Sequence, residues 1–142
     1  MIVCVAVDDN TGMTFNKRRQ SQDKILRKQL IEIARGSRLW INNYTAKQFE
    51  DPLASNIIVD DEFLDKAEEN DFCFVENLSL AKYENQIKKI ILFKWNRVYP
   101  ADTYFDITLF DNGWKLTSVV DFEGNSHKKI TKEVWENGNE SI

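Results

Sequence analysis

Short, unbroken apolar runs constrain this chain more than any other feature. Met1 to Val7, Leu39-Trp40-Ile41, Ile57-Ile58-Val59 and Phe72-Cys73-Phe74-Val75 carry almost no polar residue. A strand with one face in water alternates apolar and polar side chains, whereas an uninterrupted run belongs to a strand buried on both faces. Such strands sit in parallel sheets, and parallel neighbours need crossovers. The chain supplies them. Ser21 predicts a helix N-cap, with Asp23 in the first turn; Ile25, Leu26, Leu30, Ile33 and Ala34 then recur at helical spacing, and Gly36 closes the helix. A short helix is predicted over Thr45 to Glu50, capped near Asn43 or Thr45 and stopped before Pro52. Helical turns around Phe63, Leu64 and Ala67, and a short helix from Ser79 to Glu84, follow the next two strands.

The last third changes character. Strand-like runs at Lys89 to Trp95, Tyr104-Phe105, Trp114 to Phe122 and Lys128 to Trp135 are broken by turns at Asn112-Gly113 and Glu123-Gly124-Asn125. Crossovers early and hairpins late predict an α/β fold: a mixed sheet with a parallel core and an antiparallel C-terminal hairpin, flanked by short helices. The segment after Gly12, through Asn16-Lys17-Arg18-Arg19-Gln20, reads as a polar loop. One domain over residues 1–136 and a polar, fraying tail over 137–142 complete the organisation.

Charge and cysteine usage exclude several functions. A net charge of −4 argues against broad nucleic-acid binding, which needs a basic surface to displace counterions. No apolar run is long enough for a membrane helix, and the N-terminus lacks the order of a signal peptide, so a cytoplasmic protein is expected. Cys4 and Cys73 lie inside apolar runs and read as buried, reduced thiols. His127, the one histidine, stands on a polar turn with no metal-spaced partners, so no metal site is expected. Trp95, Trp114, Trp135 and Tyr99 read as core of the C-terminal strands.

Several strings, taken in order, resemble dihydrofolate reductase. Val5-Ala6-Val7-Asp8 with Gly12-Met13 is similar to the family's first strand and the start of its mobile active-site loop. Trp40 to Thr45 stands where the family has a strand and a Gly-Arg-x-Thr turn, and Asn56 to Val59 resembles the strand after it. Asp102-Thr103-Tyr104-Phe105 resembles an Asp-Thr-x-Phe string, and Asn125-Ser126-His127 leads into what looks like the closing hairpin. The resemblance implies a reductase scaffold with NADPH and a pterin-like substrate. It places Val5, Ala6, Asp23 and Arg27 at the substrate, with Asp23 as the proton-delivering carboxylate, and Thr45, Asn43 and Asn77 at the cofactor.

The departures fall on both ligands. The family's Gly-Gly pair, which lets backbone amides approach a pyrophosphate, is replaced by Val75-Glu76-Asn77-Leu78-Ser79. Asn42-Asn43 stands for Gly-Arg, so the guanidinium that forks onto a 2′-phosphate is absent. The loop Pro-Trp is replaced by Lys17-Arg18-Arg19, which with Arg27 and Lys28 reads either as a positive lip for an anion or as a solvated face. Asp23 itself reads either as a buried catalytic carboxylate or as a first-turn aspartate that favours the helix dipole. Glu76 and Asn77 line the remnant cleft, or form a plain strand-to-helix turn capped by Asn77 or Ser79.

These losses predict a catalytically degenerate binding or interaction module without a cofactor, whose partner is a protein or a small heterocyclic ligand. The alternative is a divergent NAD(P)H-dependent reductase of a pterin-like substrate that protonates through Asp23. On the sequence, Asp23→Asn separates the two, since only an enzyme depends on that carboxylate.

Overall fold

The computed structural model describes residues 1–49, 53–110 and 112–138. Among the described residues, ten strands form two sheets. The larger contains β1 (Ile2–Val7), β4 (Leu39–Ile41), β5 (Ile57–Val59), β6 (Phe72–Phe74), β7 (Lys89–Lys94), β9 (Trp114–Phe122) and β10 (Ile130–Asn137), in the order β5-β4-β6-β1-β7-β10-β9. Pairings from β5 to β7 are parallel, while β10 runs antiparallel to β7 and β9 antiparallel to β10. The parallel core and antiparallel C-terminal hairpin are those expected from the run lengths.

β1 lies in the middle. Ile2 registers with Phe72 on one side and Lys89 on the other. Its alternate side chains enter two separate cores, which is why its sequence shows no polar alternation. Val3, Val5 and Val7 pack with Phe63, Leu80, Leu92, Trp114 and Trp135. Ile2 and Cys4 face the other way, onto Leu26, Leu30, Ile91, Phe93 and Trp95. Cys4 and Cys73 are free and buried; burial pushes both thiols up, Cys73 to about 12.

Helix α1 (Lys24–Ile33) covers the second core through Leu26 and Leu30, one turn apart. Its cap is Asp23 rather than the expected Ser21: the Asp23 side chain accepts from the amides of Ile25 and Leu26. The short α2 (Asn43–Ala46) is capped by Asn42, one residue before the expected Asn43, and the earlier expectation of a stop before Pro52 lies outside the described residues. α3 (Phe63–Lys66) supplies the expected turns, with Phe63 and Leu64 buried. The segment after β6 forms a 3-10 helix at Ala81–Gln86, with no side-chain cap from Asn77 or Ser79. Asn77 instead accepts from the Asn42 side-chain amide, and the Ser79 hydroxyl donates to Asp106.

The second sheet was not expected. β2 (Gly12–Phe15), β3 (Arg18–Arg19) and β8 (Thr103–Tyr104) form three antiparallel strands in the order β3-β2-β8. Asn16 and Lys17 connect β2 to β3 with φ of 52° and 62°. Two positive values in a row make the primed turn that matches hairpin twist. The polar string at 16–20 is thus a hairpin, and its lysine occupies a position where glycine is the usual signal. β10 runs through Asn137, the first residue of the expected tail; residues 139–142 lie outside the described set.

Candidate functional site

Two clusters gather where the resemblance places the substrate and cofactor. The first is built on Asp23, which is 2% exposed. Its Oδ1 accepts from the amides of Ile25 and Leu26 at 2.9 and 3.0 Å. Its Oδ2 accepts from the Ser126 amide and hydroxyl, both at 2.7 Å. One carboxylate therefore caps α1 and ties it to the turn between β9 and β10. A Cβ on Gly124 in that turn would strike the same carboxylate, so glycine is required there by close approach. Burial works against the charged form of Asp23, but the four donors outweigh it and hold its carboxyl below the usual range.

The network continues through His127. Ser126 Oγ gives its proton to Asp23, so at 2.6 Å it accepts from His127 Nδ1–H, and Nε2 accepts from the Tyr99 hydroxyl at 2.7 Å. The imidazole stacks on Trp95 with centroids 4.7 Å apart. Burial lowers its pKa, with Asp23 pulling the other way. In this setting Asp23 is not a solvated first-turn aspartate but a buried carboxylate that latches α1 to the β9–β10 turn.

This chemistry fixes a pH profile. Asp23, and the buried Asp71 that accepts from the Arg38 guanidinium and the Trp40 indole, both titrate in the folded protein below the ordinary 3.8, and His127 below 6.5. In each case the unfolded chain binds protons first as pH falls. Stability is therefore expected to be greatest above about pH 7, to decline gently below about 6.5 as His127 favours the unfolded state, and to fall steeply below about 4. Urea midpoints measured against pH check this, and His127→Gln should flatten the upper step. A midpoint constant from pH 7 to 5 contradicts it.

The second cluster occupies the strand-to-helix segment where the family carries glycines. Glu76 accepts from Arg19 Nε at 2.9 Å and Nη2 at 3.2 Å, and from the Thr45 hydroxyl at 2.8 Å. Arg19 Nη2 also donates to the Tyr44 carbonyl at 3.3 Å, and its guanidinium lies 4.6 Å from the Tyr44 ring centre. Three elements thus meet: the β2–β3 hairpin, α2 and the segment after β6. Thr45 is fully buried, and its hydroxyl is held by Glu76. Asn43 donates its backbone amide to Asp61, and Asn77 is held by Asn42.

Ala6, Asp23, Leu26, Arg27, Phe74 and Glu76 line a cavity of about 10 Å³ between the clusters. That is about the room one buried water needs. One donor there, Gln48 Nε2, is buried without a partner among the described residues. Val5 points into the opposite core, so the structure brings together Ala6, Asp23 and Arg27 but not Val5.

The basic string does not form one lip. Arg19 turns inward, Lys17 and Arg18 stay exposed, and Arg27 and Lys28 join Lys24 on α1. These three border an open groove of about 280 Å³ floored by Ile31, Phe49 and Ile57. The signal in the sequence is that Lys24, Lys28 and Ile31 share one helical stripe with spacing 4 and 3; the floor itself comes from distant segments. No group of His, Cys, Asp and Glu among the described residues is placed to hold a metal ion. No described helix is long and apolar enough to cross a membrane.

The layered sheet, its strand order and the hairpin at its edge define a mixed α/β fold. It is the dihydrofolate reductase fold. Dihydrofolate reductase from Enterococcus faecalis, complexed with NADP(H) and RAB-propyl, superposes with a TM-score of 0.64 over 98% of this chain and 97% of that one, at 11% identity. No protein-family model matches the chain, and no curated protein does.

Proposed function

We propose that this chain is a binding module on the dihydrofolate reductase fold that has given up its NADPH site. The observation that carries the reading is Glu76. A dinucleotide pyrophosphate needs backbone amides or cations at that position. Here a carboxylate stands there, held by Arg19 and Thr45, with about 10 Å³ left beside it. The substrate side supports the same reading, since every acceptor site that the structure assigns to Asp23 already faces a protein donor.

The open groove is the better surface for a ligand. Lys24, Arg27 and Lys28 over an apolar floor suit an anion with an apolar or heterocyclic body, whether free or on a protein partner. Buried free thiols fit a reducing, cytoplasmic setting. The divergent-reductase alternative draws support from the fold and from the burial of Asp23 at a helix start; the ionised, fully bonded state of that carboxylate weighs against proton delivery.

Calorimetry with NADPH, alone and with folate, tests the reading. No heat and no thermal shift are expected, and binding at micromolar or tighter affinity would overturn it. For the groove, anilinonaphthalene sulfonate is a suitable anionic probe. Its fluorescence gain is expected to fall about fivefold or more in a Lys24→Glu, Lys28→Glu variant, because the charge change removes the anion's partners. An undiminished gain places the ligand elsewhere.

A further inference from the structure

The surroundings of Arg19 amount to a complete receptor for a guanidinium group. We propose that Glu76, Tyr44 and Thr45 form a guanidinium-binding site, filled in cis by Arg19, which a guanidinium ligand supplied in trans takes over when the Arg19 side chain swings out. The proposal rests on the reading that this cleft no longer accepts a dinucleotide, and it names the ligand class that the altered cleft does accept.

The match is one of geometry as well as charge. Two nitrogens of the fork, Nε and Nη2, reach the two oxygens of one carboxylate at 2.9 and 3.2 Å. Nη2 also reaches a backbone carbonyl at 3.3 Å, and the ring of Tyr44 lies 4.6 Å from the guanidinium carbon. Thr45 donates to Glu76 Oε1 and fixes the carboxylate's orientation. A planar cation with several donors satisfies all of these at once, whereas a lysine ammonium cannot match the fork or stack flat on the ring. The Glu76 side chain is only 9% exposed, so without Arg19 a nearly buried carboxylate would stand unpaired. The site is then selective for cations and hostile to phosphate.

The occupant sits on a short strand with few bonds of its own. β3 is two residues long and pairs only with β2, and β2 meets β8 through two residue pairs separated by a bulge. Buried Met13 and Thr14 anchor β2, and Asn16 bonds Asp102, so the contacts of Arg19 are what tie β3 to α2. Its own guanidinium competes at an effective concentration of roughly millimolar order, as expected for a short tether, so a ligand in trans gains most when Arg19 is removed.

The test uses the full chain with Arg19→Ala and, as a variant that keeps more of the packing volume, Arg19→Gln. Each is titrated with N-acetylarginine amide, N-acetyllysine amide and NADPH, by calorimetry. The arginine compound is expected to bind either variant at least about tenfold more tightly than the lysine compound, and more tightly than it binds the wild type. Adding Glu76→Gln should abolish that preference. On the wild-type chain, the Arg19 Nε–H resonance should shift with the arginine compound at about 50 mM and not with the lysine compound.

No preference for arginine in a folded variant, or no wild-type shift if neither variant folds, overturns the site. NADPH binding to Arg19→Ala would instead overturn the functional reading, with Arg19 acting only as a plug over a retained cofactor site. The source of the group is read by comparing agmatine with the peptide Gly-Gly-Arg-Gly-Gly. Tighter peptide binding assigns it to a protein side chain, and tighter agmatine binding to a small molecule.

Discussion

Asp23→Ala is expected to cost about 3 kcal/mol of stability, a large share of the 5–15 kcal/mol that holds a typical domain. The substitution leaves the amides of Ile25, Leu26 and Ser126 and the Ser126 hydroxyl without their acceptor. Loss of the helix cap accounts for about 1 kcal/mol, and the buried donors that water cannot reach account for the rest. Thermal melting should fall by roughly 10 °C. Asp23→Asn should lie between, because its amide oxygen can still cap α1 while its NH₂ faces the Ser126 amide donor. A loss below about 1 kcal/mol for the alanine variant would refute the latch. The consequence for function is direct: Asp23→Asn perturbs the fold itself, so lost activity in that variant cannot distinguish an enzyme from a binding module.

Leu30→Ala is expected to cost a further 3–4 kcal/mol, roughly the middle of the range for a fully buried leucine. Leu30 has no exposed surface and packs between α1 and the sheet. With only ten residues, α1 lacks the length to be stable alone and depends on that docking. Because Arg27 and Lys28 ride on the same helix, loosening it should also weaken anion binding in the groove. Urea denaturation together with the anionic fluorescence probe reads both effects. Full groove binding in a variant destabilised by this amount would show that the groove does not depend on α1 docking.

Much of the fold was legible because burial writes itself into composition. The apolar runs of β1, β4 and β6 come from burial on both faces, and the turns around Gly113 and Gly124 separate β9 and β10 from their neighbours. The hairpin β2–β3 was not legible: Asn16-Lys17 adopts two positive φ angles without the glycine that announces such a turn. The cap of α1 was missed by two residues for a different reason. Ser21 and Asp23 are both good caps locally, and the choice is made by Ser126, far along the chain. The candidate site was least legible of all. Glu76 was visible as a charge in the wrong place for phosphate, but nothing in the local sequence announces that Arg19 turns inward to meet it. Long-range pairing of a loop arginine leaves no periodicity to read.

The central position of β1 has a consequence for how the chain comes to fold. During synthesis β1 has no parallel partner until Phe72 to Phe74 have emerged, and its second neighbour ends at Lys94. Closing such distant contacts is entropically costly before any of them is rewarded, so folding should be slow relative to a chain of local hairpins. Helix α1 emerges early with its own cap, yet the second oxygen of the capping carboxylate gains its donors only when Ser126 arrives. Until β6 and β7 have emerged, Ile2 to Val7 remains an exposed apolar segment for a chaperone to cover, and docking of α1 is secured only once the β9–β10 turn follows.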